Sequence, residues 1–324
     1  MSMEKEIVLE ANNVKKYFPV KGNFGKVVNN VKAVDGVSIK LHRGETLGLV
    51  GETGCGKSTL GRTLLKLLEP TDGNIILNGV DITKLKENEM RPHRKEIQMV
   101  FQDPYTSLNP KKKVGEILEE VLSIQGFNGD KQAIAMEILG QVGLRKEHYY
   151  RYPHEFSGGQ RQRIGLARAL ILEPGIIICD EPVSALDVSI QAQIINLLQD
   201  LQEKKQLSYL FIAHDMSVVK YISTRIAVMY LGHVVEEAAT DDLFGMTMHP
   251  YAQALLSAVP DTNPHVKKKR IVLEGDVPSP LNPPKGCVFH TRCPYAMPIC
   301  ETNPPCTKEI TPGHKVACHL YDEK

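Results

Sequence analysis

The run Gly51-Glu52-Thr53-Gly54-Cys55-Gly56-Lys57-Ser58 directly follows the apolar stretch Leu47–Val50. A strand that ends in such a loop and then opens a helix has few ways to fold. Gly51 and Gly56 let the backbone curl until successive N–H groups point into one concavity, which cradles phosphate. Lys57 adds a point charge for β- and γ-phosphates, and the Ser58 hydroxyl is placed to ligate Mg²⁺. The helix from Ser58-Thr59-Leu60 onward contributes the partial positive charge of its N-terminus. Residues Gly51, Glu52, Thr53, Gly54, Cys55, Gly56, Lys57, Ser58 and Thr59 therefore form the expected contact surface for a nucleoside triphosphate.

The bulk properties narrow the partners. With 324 residues the chain has room for one large domain or two ordinary ones. A formal net charge of +1 gives no support for nucleic acid as a partner. The basic runs Lys111–Lys113 and Lys267–Arg270 read as solvated faces or linkers. No stretch of 18 apolar residues is present, and the opening Met-Ser-Met-Glu-Lys-Glu lacks an apolar segment after its charges. The expectation is a cytosolic protein with reduced thiols, which makes seven cysteines worth explaining.

Two textures divide the chain near residue 258. Before it, strand-like apolar runs (Thr46–Val50, Ile97–Phe101, Gly175–Cys179, Tyr209–Ala213, Ile226–Tyr230) alternate with helical periodicity, the α/β pattern. Helices are expected over Gly158–Leu172 and over Val188–Glu203, the latter with Ile190, Ile194, Leu197, Leu198 and Leu201 on one face. After it, Pro260, Pro264, Pro278, Pro280, Pro283 and Pro284 punctuate a stretch that holds five of the cysteines. So short a segment cannot bury much apolar area of its own and needs a staple.

A second constellation completes an ATP site. Ile176-Ile177-Ile178-Cys179-Asp180-Glu181 is an apolar strand that ends in two carboxylates. Asp180 suits a hard Mg²⁺ ion, and Glu181 suits the base that deprotonates an attacking water. Gln102 is a neutral group that can touch both Mg²⁺ and that water, and His214 can sense a γ-phosphate. Ser157-Gly158-Gly159-Gln160 opens another helix, capped by Ser157, with a second anion-binding terminus. One nucleotide does not need two such termini from one chain, so the second is expected to serve a partner's nucleotide.

These residues resemble the ABC transporter ATPase family along nearly the whole chain. The resemblance implies that Gly51–Ser58 is the Walker A loop, Asp180 the Walker B aspartate, Glu181 the catalytic glutamate and Gln102 the Q-loop residue. It likewise implies that Ser157–Gln160 is the signature, Asp187 the D-loop residue, His214 the switch histidine and Tyr17 the aromatic that stacks on adenine. The implied fold is an α/β phosphate-loop ATPase core with an antiparallel β subdomain and a helical subdomain, plus a small Cys-rich irregular C-terminal domain. The implied division is 1–258 for the ATPase, with its helical part about 103–160, and 259–324 for the extension. Two such ATPase domains pair head to tail in this family, so each ATP lies between one Walker A loop and the opposing signature.

The segments Phe101-Gln102-Asp103-Pro104, Ser107-Leu108-Asn109-Pro110, Tyr152–Arg163 and Pro182–Asp187 look like the oligopeptide/dipeptide permease branch, and Gln160 favours its F-type subunit. The implied partners are a sibling ATPase, two transmembrane permease subunits and, indirectly, an extracytoplasmic solute-binding protein. The implied location is the cytoplasmic face of the plasma membrane, with the helices about Val114–Gln125 and Lys131–Val142 receiving a short permease helix. The alternatives are a soluble ABC ATPase acting on nucleic acid or ribosomes, and an importer for another solute such as nickel.

Cys55 and Cys179 read as small packing residues inside the nucleotide motifs. Cys287, Cys293, Cys300 and Cys318 lack any Cys-x2-Cys pair, yet four thiolates on a short tail can hold a [4Fe–4S] cluster or Zn²⁺. The permease branch carries a similar tail, Gly286-Cys287-x-Phe289-x2-Arg292-Cys293-Pro294, then Cys300 and Val316-Ala317-Cys318-His319. That resemblance favours the four-cysteine cluster, with Cys306 as the extra thiol. Zn²⁺, with His290, His314 or His319 as ligands, and plain thiols or late disulfides stay open, as does a redox-sensing role.

Overall fold

The structure, a computed structural model, describes residues 6–22, 25–103, 107–259 and 270–322. Pro104 of the Gln102 segment, Pro260, Pro264 and three of the four residues in the basic run Lys267–Arg270 lie outside the described residues. Among the described residues the strands are β1 (Ile7–Lys21), β2 (Val27–His42), β3 (Thr46–Val50), β4 (Asp72–Leu77), β5 (Val80–Asp81), β6 (Ile97–Val100), β7 (Ile176–Asp180), β8 (Ser208–Ile212), β9 (Arg225–Tyr230), β10 (His233–Ala239), β11 (Lys308–Thr311) and β12 (His314–Val316). The five strands expected from the sequence all form, within one or two residues at their ends.

The chain folds as two compact units. The first gathers residues 1–8, 41–45 and 84–212. Its strands β6, β7 and β8 run parallel, with Ile97 opposite Ile176 and Ile176 opposite Ser208. All of β7 and β8 is buried, as near-continuous apolar runs in a parallel sheet demand. Helix Gly158–Leu170 packs on β6 and on helices Val114–Ile124 and Lys131–Gln141. Helix Val188–Lys205 buries Ile194, Ile195, Leu198 and Leu201, while Ile190 and Leu197 of the expected stripe are only half-buried.

The second unit gathers residues 9–40, 46–83 and 213–324. It holds an antiparallel sheet in the order β2-β1-β4-β5 and strands in the order β11-β12-β10-β9-β3. β3 pairs parallel with β9 (Leu47 opposite Arg225), β9 turns tightly into β10, and β12 from the tail pairs antiparallel with β10, Val316 opposite Glu236. The tail is thus held by backbone pairing as well as by side chains. Its Phe289 is buried against Tyr230, Tyr251 and His249, with ring centroids 5.2, 5.5 and 5.6 Å away. Burying such a ring is worth about 1.5–3 kcal/mol, and each aromatic pair adds about 0.5–1.5 kcal/mol.

Candidate functional site

In the second unit β3 delivers the chain into the glycine loop, and helix Lys57–Leu64 leaves it. Gly56 sits at φ 105° and a Cβ there would lie 2.0 Å from the Ala33 carbonyl oxygen. A Cβ at Gly51 would lie 2.1 Å from the Met229 carbonyl oxygen. Only glycine fits either place. Lys57 is buried, and its ammonium donates to the carbonyls of Gly51 (2.8 Å) and Glu52 (3.0 Å), so the charge is held over the hollow of the loop. No side chain caps the helix, which leaves its first-turn N–H groups to an anion. Cys55 is buried, and burial pushes its thiol up despite the Lys57 charge nearby, as a packing residue behaves.

Tyr17 and His214 belong to this unit too. Tyr17 lies half-buried on β1, where its hydroxyl donates to Asp35 and Lys32 stands 5.6 Å from the ring centroid. Burial, then Asp35, push its phenol up. His214 follows β8 on the surface, one residue before Asp215, which caps helix Met216–Ile222 by accepting from the Ser217 N–H at 2.8 Å.

The first unit carries the remaining site residues. Asp180 is fully buried at the end of β7. Glu181 follows at φ 46°, a left-handed conformation that costs a non-glycine residue about 1–3 kcal/mol and re-aims its side chain. Its N–H donates to the Ile212 carbonyl (2.9 Å), and its carboxylate accepts from the Gln102 amide at 2.9 Å. Ser157 caps helix Gly158–Leu170 reciprocally with Gln160, by bonds of 3.4 and 3.1 Å. Gly159 is buried so closely that a Cβ would stand 2.5 Å from the Ile190 Cγ2. Asp187 is exposed at the start of helix Val188–Lys205. Gln102, Gly158, Pro182, Ser184 and Leu186 line one cavity of about 260 Å³, so three segments far apart in the sequence meet within this unit. A second hollow of about 990 Å³, with Arg91, Leu122, Phe127, Ile138 and Leu170 in its lining, opens beside helices Val114–Ile124 and Lys131–Gln141.

In the tail, Cys287 and Cys300 are buried, Cys293 and Cys318 half-buried, and Cys306 exposed. Burial pushes the thiols of Cys287 and Cys293 up, toward the neutral form. Burial pushes the Cys318 thiol up to about 11, with further contributions from Cys287, Cys293 and Cys300. No three His, Cys, Asp or Glu side chains among the described residues are gathered as a metal-holding group. The histidines named as alternative ligands have other bonds. His314 pairs with Glu236 (2.7 Å), His319 bonds Asp322 and the Asn303 carbonyl, and His290 bonds the Cys287 carbonyl.

Sequence reasoning missed two connections: Asp35 bonded to the Tyr17 hydroxyl, and Arg292 paired to Glu52 of the glycine loop at 2.9 and 3.2 Å. Neither has a local signal, because Glu52 and Arg292 are 240 residues apart and are joined only by folding.

Comparisons with known proteins show the family. Residues 34–184 match the ABC transporter family, and residues 235–300 match the oligopeptide/dipeptide transporter C-terminal region. The chain is 57% identical to the oligopeptide transport ATP-binding protein AppF of Bacillus subtilis, covering 98% of both chains. It is 49% identical to the dipeptide transport ATP-binding protein DppF of Haemophilus influenzae, again over 98% of both. Among solved structures, the ATP-binding cassette MJ0796, a dimer bound to ADP and Pi, matches with a TM-score of 0.65 and 28% identity. That match covers 72% of this chain and 98% of that one. With more than half its residues identical over nearly the full length of such a relative, the chain belongs to the ABC transporter ATPases, in the branch of the oligopeptide and dipeptide transport ATP-binding proteins.

Proposed function

We propose that this chain is the motor subunit of an ABC importer for di- or oligopeptides, an F-type subunit paired head to tail with a sibling ATPase. The observation that carries the catalytic part is the bond between Gln102 and Glu181 at the end of β7. A base must be aimed before it can act, and here an amide from another loop aims it. In this reading Tyr17 stacks on adenine, and the loop Gly51–Thr59 wraps the phosphates with Lys57 on the β- and γ-groups. Ser58, Asp180 and Gln102 present hydroxyl, carboxylate and amide oxygens, a hard donor set that fits Mg²⁺. Bound there, the ion neutralises phosphate charge. Glu181 takes a proton from water, and His214 reads the γ-phosphate. Ser157–Gln160 and Asp187 complete the partner's nucleotide site.

The domain division is 1–258 for the ATPase, with its helical part about 103–160, and 259–324 for the permease-type extension. The hollow between Arg91, Phe127 and Ile138 is the seat for a cytoplasmic helix of a permease subunit, which puts the protein at the inner face of the membrane. No helix among the described residues is long and apolar enough to cross a membrane. In this reading two permease subunits attach the protein. Co-expression with the permease subunits, followed by reconstitution with a peptide-binding protein, tests this reading. Peptide-stimulated ATP hydrolysis with peptide uptake is the expected result. Hydrolysis indifferent to peptide but stimulated by another solute, such as nickel, would overturn the substrate class.

A [4Fe–4S] cluster held by Cys287, Cys293, Cys300 and Cys318 is the second reading, with Zn²⁺ as its rival. Supporting it, Cys287 and Cys300 are buried and Cys293 and Cys318 half-buried, so all four thiols are shielded from bulk water as cluster ligands require. The sulfurs must draw together to bind. Anaerobic purification is expected to give about four iron and four sulfide per chain. One zinc, or no metal, would discard the cluster.

A further inference from the structure

Glu52 is the one acidic residue inside the phosphate loop, and folding holds it at both ends. Its backbone N–H donates to the Tyr251 hydroxyl at 2.8 Å, from helix Pro250–Ser257. Its carboxylate receives two parallel bonds from the Arg292 guanidinium, at 2.9 and 3.2 Å. Arg292 in turn lies 6.0 Å above the Tyr230 ring, and only 8% of its side chain is exposed. Phe289, three residues earlier, is wedged between Tyr230 and Tyr251. One continuous patch thus joins the tail to the loop.

The chemistry of the loop shows why the carboxylate must be claimed. The Lys57 ammonium already touches the Glu52 carbonyl at 3.0 Å, so a released Glu52 side chain has a cation within its own loop to pair with. It would then compete with the triphosphate for Lys57 and repel the incoming anion. A bidentate guanidinium is the partner best suited to hold it away. We propose that Arg292 is a positioning residue of the ATP site: from the tail it withholds the Glu52 carboxylate from Lys57 and cancels its charge beside the phosphates.

This inference rests on reading residues 51–59 as the ATP phosphate loop, and the test separates the two. The purified full chain is titrated calorimetrically with the Mg²⁺ complexes of a non-hydrolysable ATP analogue and of ADP. Lys57→Ala is expected to abolish binding; if it does not, the loop reading itself fails. Arg292→Ala is expected to weaken the triphosphate roughly 3- to 10-fold, and the diphosphate less because it carries less charge. In the Glu52→Gln background the same Arg292→Ala change is expected to cost less than about 2-fold, because no carboxylate is left to release. An equal loss in both backgrounds, or an equal loss for both nucleotides, would make Arg292 a mere tail anchor and overturn the proposal. Should Arg292→Ala not fold, Arg292→Gln, which keeps the stem over Tyr230, carries the same comparison.

Discussion

Glu181 and Gly56 do their work through backbone angles that sequence motifs only hint at. At φ 46° Glu181 leaves the line of β7, so that consecutive carboxylates point differently: Asp180 inward and buried, Glu181 toward Gln102. Gly56 admits no side chain, since φ is 105° and the Ala33 carbonyl closes the space. Gly56→Ala is therefore predicted to destabilise the protein by about 1–3 kcal/mol and to abolish nucleotide binding, measured by urea denaturation and calorimetry. The loop, the acidic strand end and the signature were legible in the sequence because each is a short run whose chemistry is local. The Arg292–Glu52 pair and the Tyr17–Asp35 bond were not, since each joins distant segments and no local pattern marks either end.

Among the elements, the apolar strands β3, β6, β7, β8 and β9 could be read because burial on both faces leaves nearly unbroken apolar runs. β1 and β2 leave no such run: their alternation is broken by charged residues on long, half-exposed strands. β10 was hidden because Glu236 and Glu237 are buried in it, where Glu236 accepts from the Met248 and His249 N–H groups and pairs with His314. His249 caps helix Pro250–Ser257 by accepting from the Tyr251 N–H at 3.1 Å, and burial pushes its imidazole down to about 3. The folded state therefore prefers the neutral ring. Below the unfolded value of about 6.5 only the unfolded chain takes up the proton, so stability is full above that pH and falls as pH drops toward 3. The slope is about 1.4 kcal/mol per pH unit from this group. His249→Asn keeps a capping side chain and is predicted to remove that slope between pH 6 and 4 in urea melts. Glu236, whose carboxyl burial pushes up, is common to both proteins and cancels in the difference. An unchanged slope in the variant would assign the acid sensitivity elsewhere.

For the whole molecule, the tail is the part where the sequence said least about how it is held. Its prolines and cysteines suggested a staple; the structure adds the β10–β12 pairing, the Phe289 aromatic cluster and the grip of Arg292 on the phosphate loop. Helices Lys57–Leu64 and Gly158–Leu170 each open at a glycine-rich turn, and the proposed head-to-tail dimer would bring one from each chain to every nucleotide. Dependence of ATP hydrolysis on Glu181 is the property that the motor reading predicts most sharply. Its most direct test is ATP binding and turnover by Glu181→Gln in the assembled transporter, beside the wild type. The predicted result is unimpaired ATP binding with turnover reduced about 10²- to 10⁴-fold, the range for loss of a general base. Turnover close to wild type would rule out Glu181 as the base.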